Sequence, residues 1–304
     1  MLNKSPIVIN GFGRGGTNIL MNLLLSHPSL AMPSGELNKV IKGGAMGEKR
    51  IKKIYKKLFY DMVIRLLAGD IFDRFNFKKR DKISYFVKVY VDRILWQEKQ
   101  RARHESHNKW KNEAEHYTAD ELRKARLVLK AHNGLIFMND MFRSMYPEVR
   151  FVVIVRNGYA VCESLIRRGW RLEEAARLYD LVGREILANK QKNDCLLVKF
   201  EDVLIDPLDL IEKIYSHCKL DSSACAKFRL QHKSFASKDS DESILQGEYD
   251  RQVVWFNRNE LVTYFKPDVN TNQIRRLSSE QIANIERIAG ETISRLGYKN
   301  DYLS

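Results

Sequence analysis

A glycine-dense turn near the start of the chain carries residue types that bind phosphate or sulfate groups. Residues 7–28 read IVINGFGRGGTNILMNLLLSHP, so an apolar run precedes the glycines and an amphipathic helical pattern follows them. Glycines let backbone N–H groups converge on an anion, and a helix N-terminus adds partial positive charge. Arg14 adds a full positive charge to the loop. The sequence therefore predicts a site for a phosphorylated or sulfated nucleotide.

A second set of anion-binding residue types follows another apolar run. Residues 151–155 are continuously apolar, as expected of a buried parallel strand. Arg156 ends this run, Asn157 begins a turn, and Ser164 lies eight residues after Arg156 on a predicted helix. Arginine offers bidentate hydrogen bonds to a phosphate, and serine adds a hydroxyl donor. The alternative is that Arg156 pairs with an acid and Ser164 faces solvent.

The first loop is compatible with three known patterns. Residues 11–16 satisfy the dinucleotide fingerprint G-x-G-x-x-G, with Glu36 about 20 residues further on. They also have the spacing of a P-loop, although Thr17 replaces its lysine. The loop further resembles the phosphosulfate loop of sulfotransferases, roughly G-x-P-R-S-G-T-T-x-L. The matching residues are Arg14, Gly16, Thr17 and Leu20, and the departures are Gly13, Gly15 and Asn18.

Other segments extend the resemblance to sulfotransferases. Arg156 and Ser164 have the spacing with which that family holds the 3′-phosphate of its donor. Residues 196–207, LLVKFEDVLIDP, resemble its strand followed by Y-E-D-L and D-P, with Phe200 in place of the tyrosine. Residues 295–298, RLGY, resemble the L-G-Y ending of its tyrosylprotein and carbohydrate branches. The chain is identified as a member of this family, closer to those and the bacterial branches than to cytosolic phenol sulfotransferases.

The resemblance implies a P-loop-NTPase-like α/β fold, with one domain over residues 1–304 and a parallel sheet flanked by helices. A capping box, Ser278 with Gln281, predicts the start of the last helix. Both anion sites then fall at carboxyl ends of strands. The predicted strands are 7–10, 127–130, 151–155 and 196–200, with one unassigned, and the predicted helices are 17–25, 159–168, 172–189, 208–218 and 279–296.

The donor that the resemblance implies is 3′-phosphoadenosine 5′-phosphosulfate (PAPS), with no metal. Arg14, Thr17 and the backbone of residues 15–18 are expected to hold the 5′-phosphosulfate, and Arg156 with Ser164 the 3′-phosphate. Phe200 packs against adenine or belongs to the core. The expected donor-binding residues are Arg14, Gly15, Gly16, Thr17, Asn18, Arg156, Ser164 and Phe200.

Two residues are candidates for the base that deprotonates the acceptor. Glu36 follows His27 and Pro28, as a catalytic glutamate does in tyrosylprotein and several bacterial sulfotransferases. His132, in Lys130-Ala131-His132, resembles the K-x-H of cytosolic sulfotransferases, in which the histidine is the base. The Arg-Asn-Gly turn and the L-G-Y ending favour Glu36. Lys130 and Arg14 are expected to stabilise the leaving phosphate.

The positive charge is concentrated in one segment. The formal net charge is +14, and residues 37–130 hold 25 Lys/Arg against 12 Asp/Glu. Residues 37–126 match nothing in the resemblance and are predicted to form a helical insertion. It is interpreted as a basic cap that attracts an anionic acceptor, the alternative being a solvated face. No nucleic-acid motif accompanies the charge, so nucleic acid is not an expected partner.

The cysteine content and the absence of targeting or membrane-spanning segments predict where the protein is located. Four cysteines without a C-x-x-C pair, no secretory leader and no membrane-spanning run indicate a soluble, cytoplasmic protein. Residues 234–250 are predicted to form a mobile loop over the site.

The sequence does not identify the acceptor. The candidates are carbohydrate hydroxyls, tyrosine, lipid head groups and small phenols or alcohols, with an anionic carbohydrate or glycolipid favoured. The competing functions are an NAD-dependent dehydrogenase and a non-catalytic polyanion-binding protein.

Overall fold

The described part of the chain falls into five segments. The structure is a computed structural model and describes residues 2–42, 50–64, 83–102, 117–233 and 251–299. These segments contain a parallel sheet of five strands and an antiparallel pair. No helix within them is long and apolar enough to span a bilayer.

The larger sheet brings the carboxyl ends of its strands to one edge. Its strands are β1 Ile7–Gly11, β2 Leu30–Ala31, β3 Arg126–His132, β4 Arg150–Val155 and β5 Cys195–Lys199. They are all parallel, in the order β2-β3-β1-β4-β5. Gly11 pairs in register with His132 of β3 and with Ile154 of β4. The loops that follow β1, β3 and β4 therefore begin side by side.

Helices flank this sheet, which confirms the predicted fold class. A π-helical segment, Tyr60–Ile64, and the 3₁₀ turns Asn133–Met138 and Ser222–Ala224 supplement them. The α-helices of the described residues are α1 Thr17–Leu25, α2 Leu37–Ile41, α3 Arg50–Phe59, α4 Tyr85–Arg101, α5 Ala119–Lys124, α6 Asn139–Met145, α7 Gly158–Ile166, α8 Leu172–Lys190, α9 Phe200–Ile205, α10 Pro207–His217, α11 Arg258–Tyr264, α12 Val269–Ile274 and α13 Ser279–Arg295.

Alternate side chains of each strand enter different apolar layers. Ile7 and Ile9 of β1 pack in the layer that contains α1 and α10. Val8 between them packs in the layer that contains α4 and α6. Val153 and Val155 of β4 pack with α7, α8 and α13. Because both faces of the sheet are covered, its strands are apolar at successive positions rather than at every second one.

Side-chain caps set several element boundaries. α13 begins with the predicted capping box: Ser278 Oγ accepts the Gln281 N–H at 3.2 Å, and Gln281 Oε1 accepts the Ser278 N–H at 2.9 Å. The strand predicted over 196–200 ends one residue early. The Asp202 carboxylate accepts the Lys199 N–H at 3.0 Å and so begins α9. Phe200 is therefore the first residue of a helix.

Two features differ from the sequence prediction. The unassigned fifth strand is the two-residue β2 at one edge of the sheet, which is too short to show a periodic pattern. An antiparallel pair, β6 Phe228–Lys233 and β7 Arg251–Phe256, was not predicted. The mobile loop predicted over 234–250 lies outside the described residues.

The segment between residues 37 and 126 is helical where it is described, in α2 to α5 and the π-helical segment. It also contributes to the main core. Val87, Val91 and Leu95 of α4 are buried in the layer that contains Val8. One helix of this basic segment is therefore part of the structure that supports the sheet.

Candidate functional site

The turn between β1 and α1 has no room for a side chain at either of its two end positions, Gly11 and Gly16. Gly11 has φ +144°, and a Cβ there would lie 2.3 Å from the Ile154 carbonyl oxygen. Gly16 has φ +92°, and a Cβ there would lie 2.5 Å from Phe200 Cδ2. Arg14 between them has φ +72°, in the left-handed region that non-glycine residues rarely occupy. Such strained residues cluster at functional sites.

The two arginines predicted from separate segments lie together. Arg156 follows β4, and its Nη1 donates to the Arg14 carbonyl oxygen at 3.0 Å. Arg14 Nε in turn donates to Ser164 Oγ at 2.9 Å. Ser164 is buried on α7, whereas Arg14 is half-buried. The structure thus joins the predicted residues of the two anion sites in one hydrogen-bonded group.

Arg156 is held by amide groups of α12. Its Nε donates to Asn270 Oδ1 at 2.7 Å, and its Nη2 to Gln273 Oε1 at 2.6 Å. Its guanidinium lies 4.5 Å from the centre of the Phe200 ring. Burial lowers the pKa of Arg156, and the negative charge of Glu201 opposes this effect. Sequence reasoning missed Asn270 and Gln273, because a short polar helix carries no pattern that marks it as part of a site.

Glu201 connects the segment after β5 with the end of the chain. Its carboxylate accepts the Asn157 N–H at 3.2 Å and the Tyr298 hydroxyl at 2.7 Å, and Asn270 Nδ2 also donates to it. Burial, together with this carboxylate, raises the pKa of Tyr298 well above its usual value. The sequence associates Glu201 and Tyr298 with the site only by resemblance, and the structure shows their contact.

The loop after β3 supports the glycine turn. Asn133 has φ +55°, and its Oδ1 accepts the Gly13 N–H at 2.6 Å. Within the same turn, the Phe12 ring stacks on Tyr179 with centroids 4.1 Å apart. Sequence reasoning missed Asn133. Its position directly after His132, at the end of an apolar strand, is the signal that could have identified it.

An ion pair that is largely shielded from solvent lies beside the start of α1. Lys130 Nζ, on β3, donates to Asn18 Oδ1 at 2.6 Å and lies 2.9 Å from Glu36 Oε1. The Lys130 side chain is 6% exposed and that of Glu36 is 14% exposed. His132, the other candidate base, is the half-buried last residue of β3. A cation and a carboxylate thus meet beside the residues predicted to hold the donor.

A glutamate of α4 holds the segment that carries Glu36. The Glu98 carboxylate accepts the Ser34 N–H at 3.0 Å and also the Ser34 hydroxyl. Its other oxygen lies 3.2 Å from Arg101 Nη1. Glu98 and Ser34 are both buried, at 1% exposure. Glu98, which sequence reasoning missed, therefore links the basic segment to the residue two positions before Glu36.

The predicted site residues lie at the edge where β1, β3 and β4 end. Their backbone N–H groups, cationic side chains and one carboxylate form an arrangement that can bind an anion and accept a proton. Thr17 and Gly15 are buried within the turn. The residues brought to this edge are Arg14, Gly15, Gly16, Thr17, Asn18, Glu36, Lys130, His132, Arg156, Ser164 and Phe200.

This chain is similar to known proteins both in sequence and in fold. A model described as "Sulfotransferase family" matches residues 6–224. The sulfotransferase domain of the Synechococcus PCC 7002 olefin synthase is 14% identical, with a TM-score of 0.51 over 98% of this chain and 97% of that one. The sulfotransferase domain of the curacin biosynthetic pathway is 13% identical, with a TM-score of 0.50 over 98% and 99%. No curated protein sequence matches the chain significantly.

Proposed function

The chain belongs to the sulfotransferase family, and we propose that it transfers a sulfuryl group from PAPS to the hydroxyl group of an acceptor. The observation that carries the proposal is the 3.0 Å contact of Arg156 with the Arg14 backbone, which brings two arginines to one edge of the sheet. A donor with a phosphate and a phosphosulfate needs positive charge at two points. The family match argues against the dehydrogenase alternative.

The start of α1 fits the phosphosulfate end of the donor. Its N-cap, Gly16, has no side chain to occupy the first N–H groups of the helix, which are then available to an anion. Arg14 adds charge, and Thr17 adds a hydroxyl donor. We assign the backbone N–H groups of residues 16–18 to this end, whereas the Gly15 N–H donates to the Phe12 carbonyl oxygen at 3.0 Å and shapes the turn. When bound, PAPS supplies a sulfuryl group on a phosphate leaving group.

Arg156 and Ser164 are assigned to the 3′-phosphate. Asn270 and Gln273 fix the Arg156 guanidinium before any ligand is present, so less side-chain entropy is lost on binding. Phe200 is 5% exposed and packs in the apolar core beneath Arg156. Its burial favours a supporting role over direct contact with adenine.

Glu36 is proposed as the base. Its carboxylate would take the proton of the acceptor hydroxyl while the acceptor oxygen attacks sulfur. Lys130, 2.9 Å away, would supply positive charge where the leaving phosphate forms. The contact of Lys130 with Asn18 supports this assignment, because it places the ion pair beside the proposed donor site. His132 is the second candidate for the base.

The acceptor is proposed to be an anionic carbohydrate or glycolipid, with residues 37–126 as its cap. The support for this is the excess of Lys/Arg over Asp/Glu between residues 37 and 130, 25 against 12. A positive surface beside the donor site raises the local concentration of anionic ligands. A cytoplasmic location also stays a prediction.

Binding of adenosine 3′,5′-bisphosphate, the product of transfer, tests the donor site. Arg14→Ala and Arg156→Ala should each weaken binding by about tenfold to a hundredfold, because each removes hydrogen bonds from a charged donor. Titration calorimetry measures the affinity, and circular dichroism checks the fold. Arg123→Ala is the control, since that side chain is 72% exposed and pairs with Asp120. Unchanged affinity in both site variants would contradict the proposal.

A transfer assay separates the enzyme from a polyanion-binding protein of the same fold. Saccharide and lipid pools are incubated with the protein and PAPS, and mass spectrometry detects the gain of one SO₃ group. We expect a sulfated product whose rate of formation falls by at least about a hundredfold when Glu36→Gln replaces the native protein. Donor binding without transfer to any acceptor would support the non-catalytic alternative.

A further inference from the structure

The helix α3 exposes a row of apolar side chains. These side chains are spaced three and four residues apart and continue into the π-helical segment, so they share one helical face. Such a face is normally packed inside a protein. The exposed fractions are 70% for Ile51, 50% for Ile54, 70% for Tyr55, 49% for Leu58 and 71% for Met62.

The same surface extends onto the start of α4. The Phe59 ring lies 6.3 Å from the Phe86 ring, which joins the two helices. Tyr85, Phe86 and Val89 are themselves exposed. The exposed apolar residues of α3, its π-helical extension and the first turns of α4 therefore form one patch, which is called the α3 patch below.

The charge of α3 indicates what the patch binds. The helix, RIKKIYKKLF, has five Lys/Arg and no Asp or Glu. Apolar side chains on one face, with lysines at the other positions, are typical of helices that lie in the interface of a lipid bilayer. Basic residues near an anionic leaflet each add to the attraction.

We propose that the α3 patch binds the surface of an anionic lipid bilayer, with its apolar row at the level of the head groups. A second copy of this chain fits less well, because two helices of the same high positive charge would repel each other across the interface. This inference concerns a surface outside the proposed donor site and does not depend on sulfuryl transfer.

Flotation of the full chain with lipid vesicles tests the inference. We expect binding to vesicles of phosphatidylcholine with phosphatidylglycerol, weaker binding at high salt, and little binding to phosphatidylcholine alone. The double variant Ile54→Ser/Leu58→Ser should bind anionic vesicles at least about tenfold more weakly, since it removes two apolar side chains from the interface. Lys56→Glu/Lys57→Glu should weaken binding and reduce its salt dependence.

Ile205→Ser is the matched control, because Ile205 is 74% exposed but lies on α9. It should bind vesicles like the native chain. All variants should bind adenosine 3′,5′-bisphosphate as the native chain does, which separates this test from that of the donor site. The inference is overturned if anionic vesicles are not bound, or if the Ile54/Leu58 variant binds them unchanged. It is also overturned if light scattering shows that the patch instead holds a dimer, which this variant dissociates.

Discussion

At the residue scale, the site depends on partners that are far apart in sequence. Lys130 and Glu36 are 94 residues apart, and Arg14 and Ser164 are 150 apart. Each contact forms because the parallel strands end at one edge of the sheet, where their last residues and the turns and helices that follow them lie side by side. Charged side chains held by such partners lose little entropy when a ligand binds.

Substitution of the two candidate bases should distinguish them. Glu36→Gln keeps the shape of the side chain but cannot accept a proton, so kcat should fall by about 10²–10⁴-fold. His132→Gln should reduce kcat much less, and both variants should keep their affinity for adenosine 3′,5′-bisphosphate. Steady-state kinetics with an identified acceptor gives the comparison. A large loss in His132→Gln together with an active Glu36→Gln would reverse the assignment.

Glu98 is expected to act by positioning Glu36. Glu98→Ala leaves the Ser34 N–H and hydroxyl without their carboxylate, so kcat should fall by about tenfold or more as the loop shifts. Glu98→Gln keeps an acceptor oxygen and should restore part of the activity. The affinity for adenosine 3′,5′-bisphosphate should not change, as measured by calorimetry. Equal loss of kcat and of this affinity in Glu98→Ala would indicate a merely structural role.

At the element scale, the strands and helices of the core follow from sequence patterns, and their positions follow from packing. Residues 7–9 and 151–155 are apolar throughout, which predicts β1 and β4 because both faces of a parallel sheet are buried. β2 has two residues, and only its pairing with β3 makes it a strand. The α12 residues that hold Arg156 are polar and give no periodic signal.

The turn before α1 should be intolerant of a side chain at Gly16. Gly16→Ala should lower the free energy of unfolding by about 1–3 kcal/mol, because φ is +92° and the Cβ would overlap the Phe200 ring. Gly35→Ala is the control, since a Cβ there meets nothing within 4 Å. Urea denaturation measures both. Equal stability of the two variants would show that the turn can relax.

At the scale of the whole molecule, charge and burial are distributed unevenly. The basic segment supplies almost all of the net charge, yet α4 within it packs into the core. The same helix carries Glu98, which holds the loop before Glu36. The segment therefore supports the site as well as offering a charged surface.

Buried thiols and phenols should make the fold sensitive to alkaline pH. Burial raises the pKa of Cys162 and of Cys218 from 9.0 to about 12, and it also raises the pKa of Tyr179 and of Tyr215 above 10.0. Because these groups ionise at lower pH in the unfolded chain, their stabilising effect is present below about pH 9 and is lost as the pH rises towards 12. Burial and, to a smaller extent, the positive charge of Lys4 lower the pKa of Lys99 from 10.5 to about 8. The folded chain therefore loses this proton at a lower pH than the unfolded chain, so stability gains from Lys99 as the pH rises and part of the loss is offset.

The expected result is a net fall in the free energy of unfolding between about pH 9 and pH 11. Urea denaturation in the presence of a reductant measures it. The fall should be smaller in Cys162→Ala, which removes one of the buried thiols. A free energy of unfolding that stays constant or rises over this range would contradict the expectation.

The sequence by itself determined the family, the parallel sheet and the chemical nature of the glycine loop before α1, because glycine spacing, apolar runs and a cationic side chain are local properties. It also indicated Arg156 and Ser164, since their spacing is local as well. Only the tertiary structure decided that Arg156 contacts Arg14, that Lys130 contacts Glu36, and that Glu98 and Asn270 hold the site. These contacts join residues more than sixty positions apart, and their formation depends on the order of the strands in the sheet and on how helices such as α4 and α12 pack beside it, which no local pattern encodes.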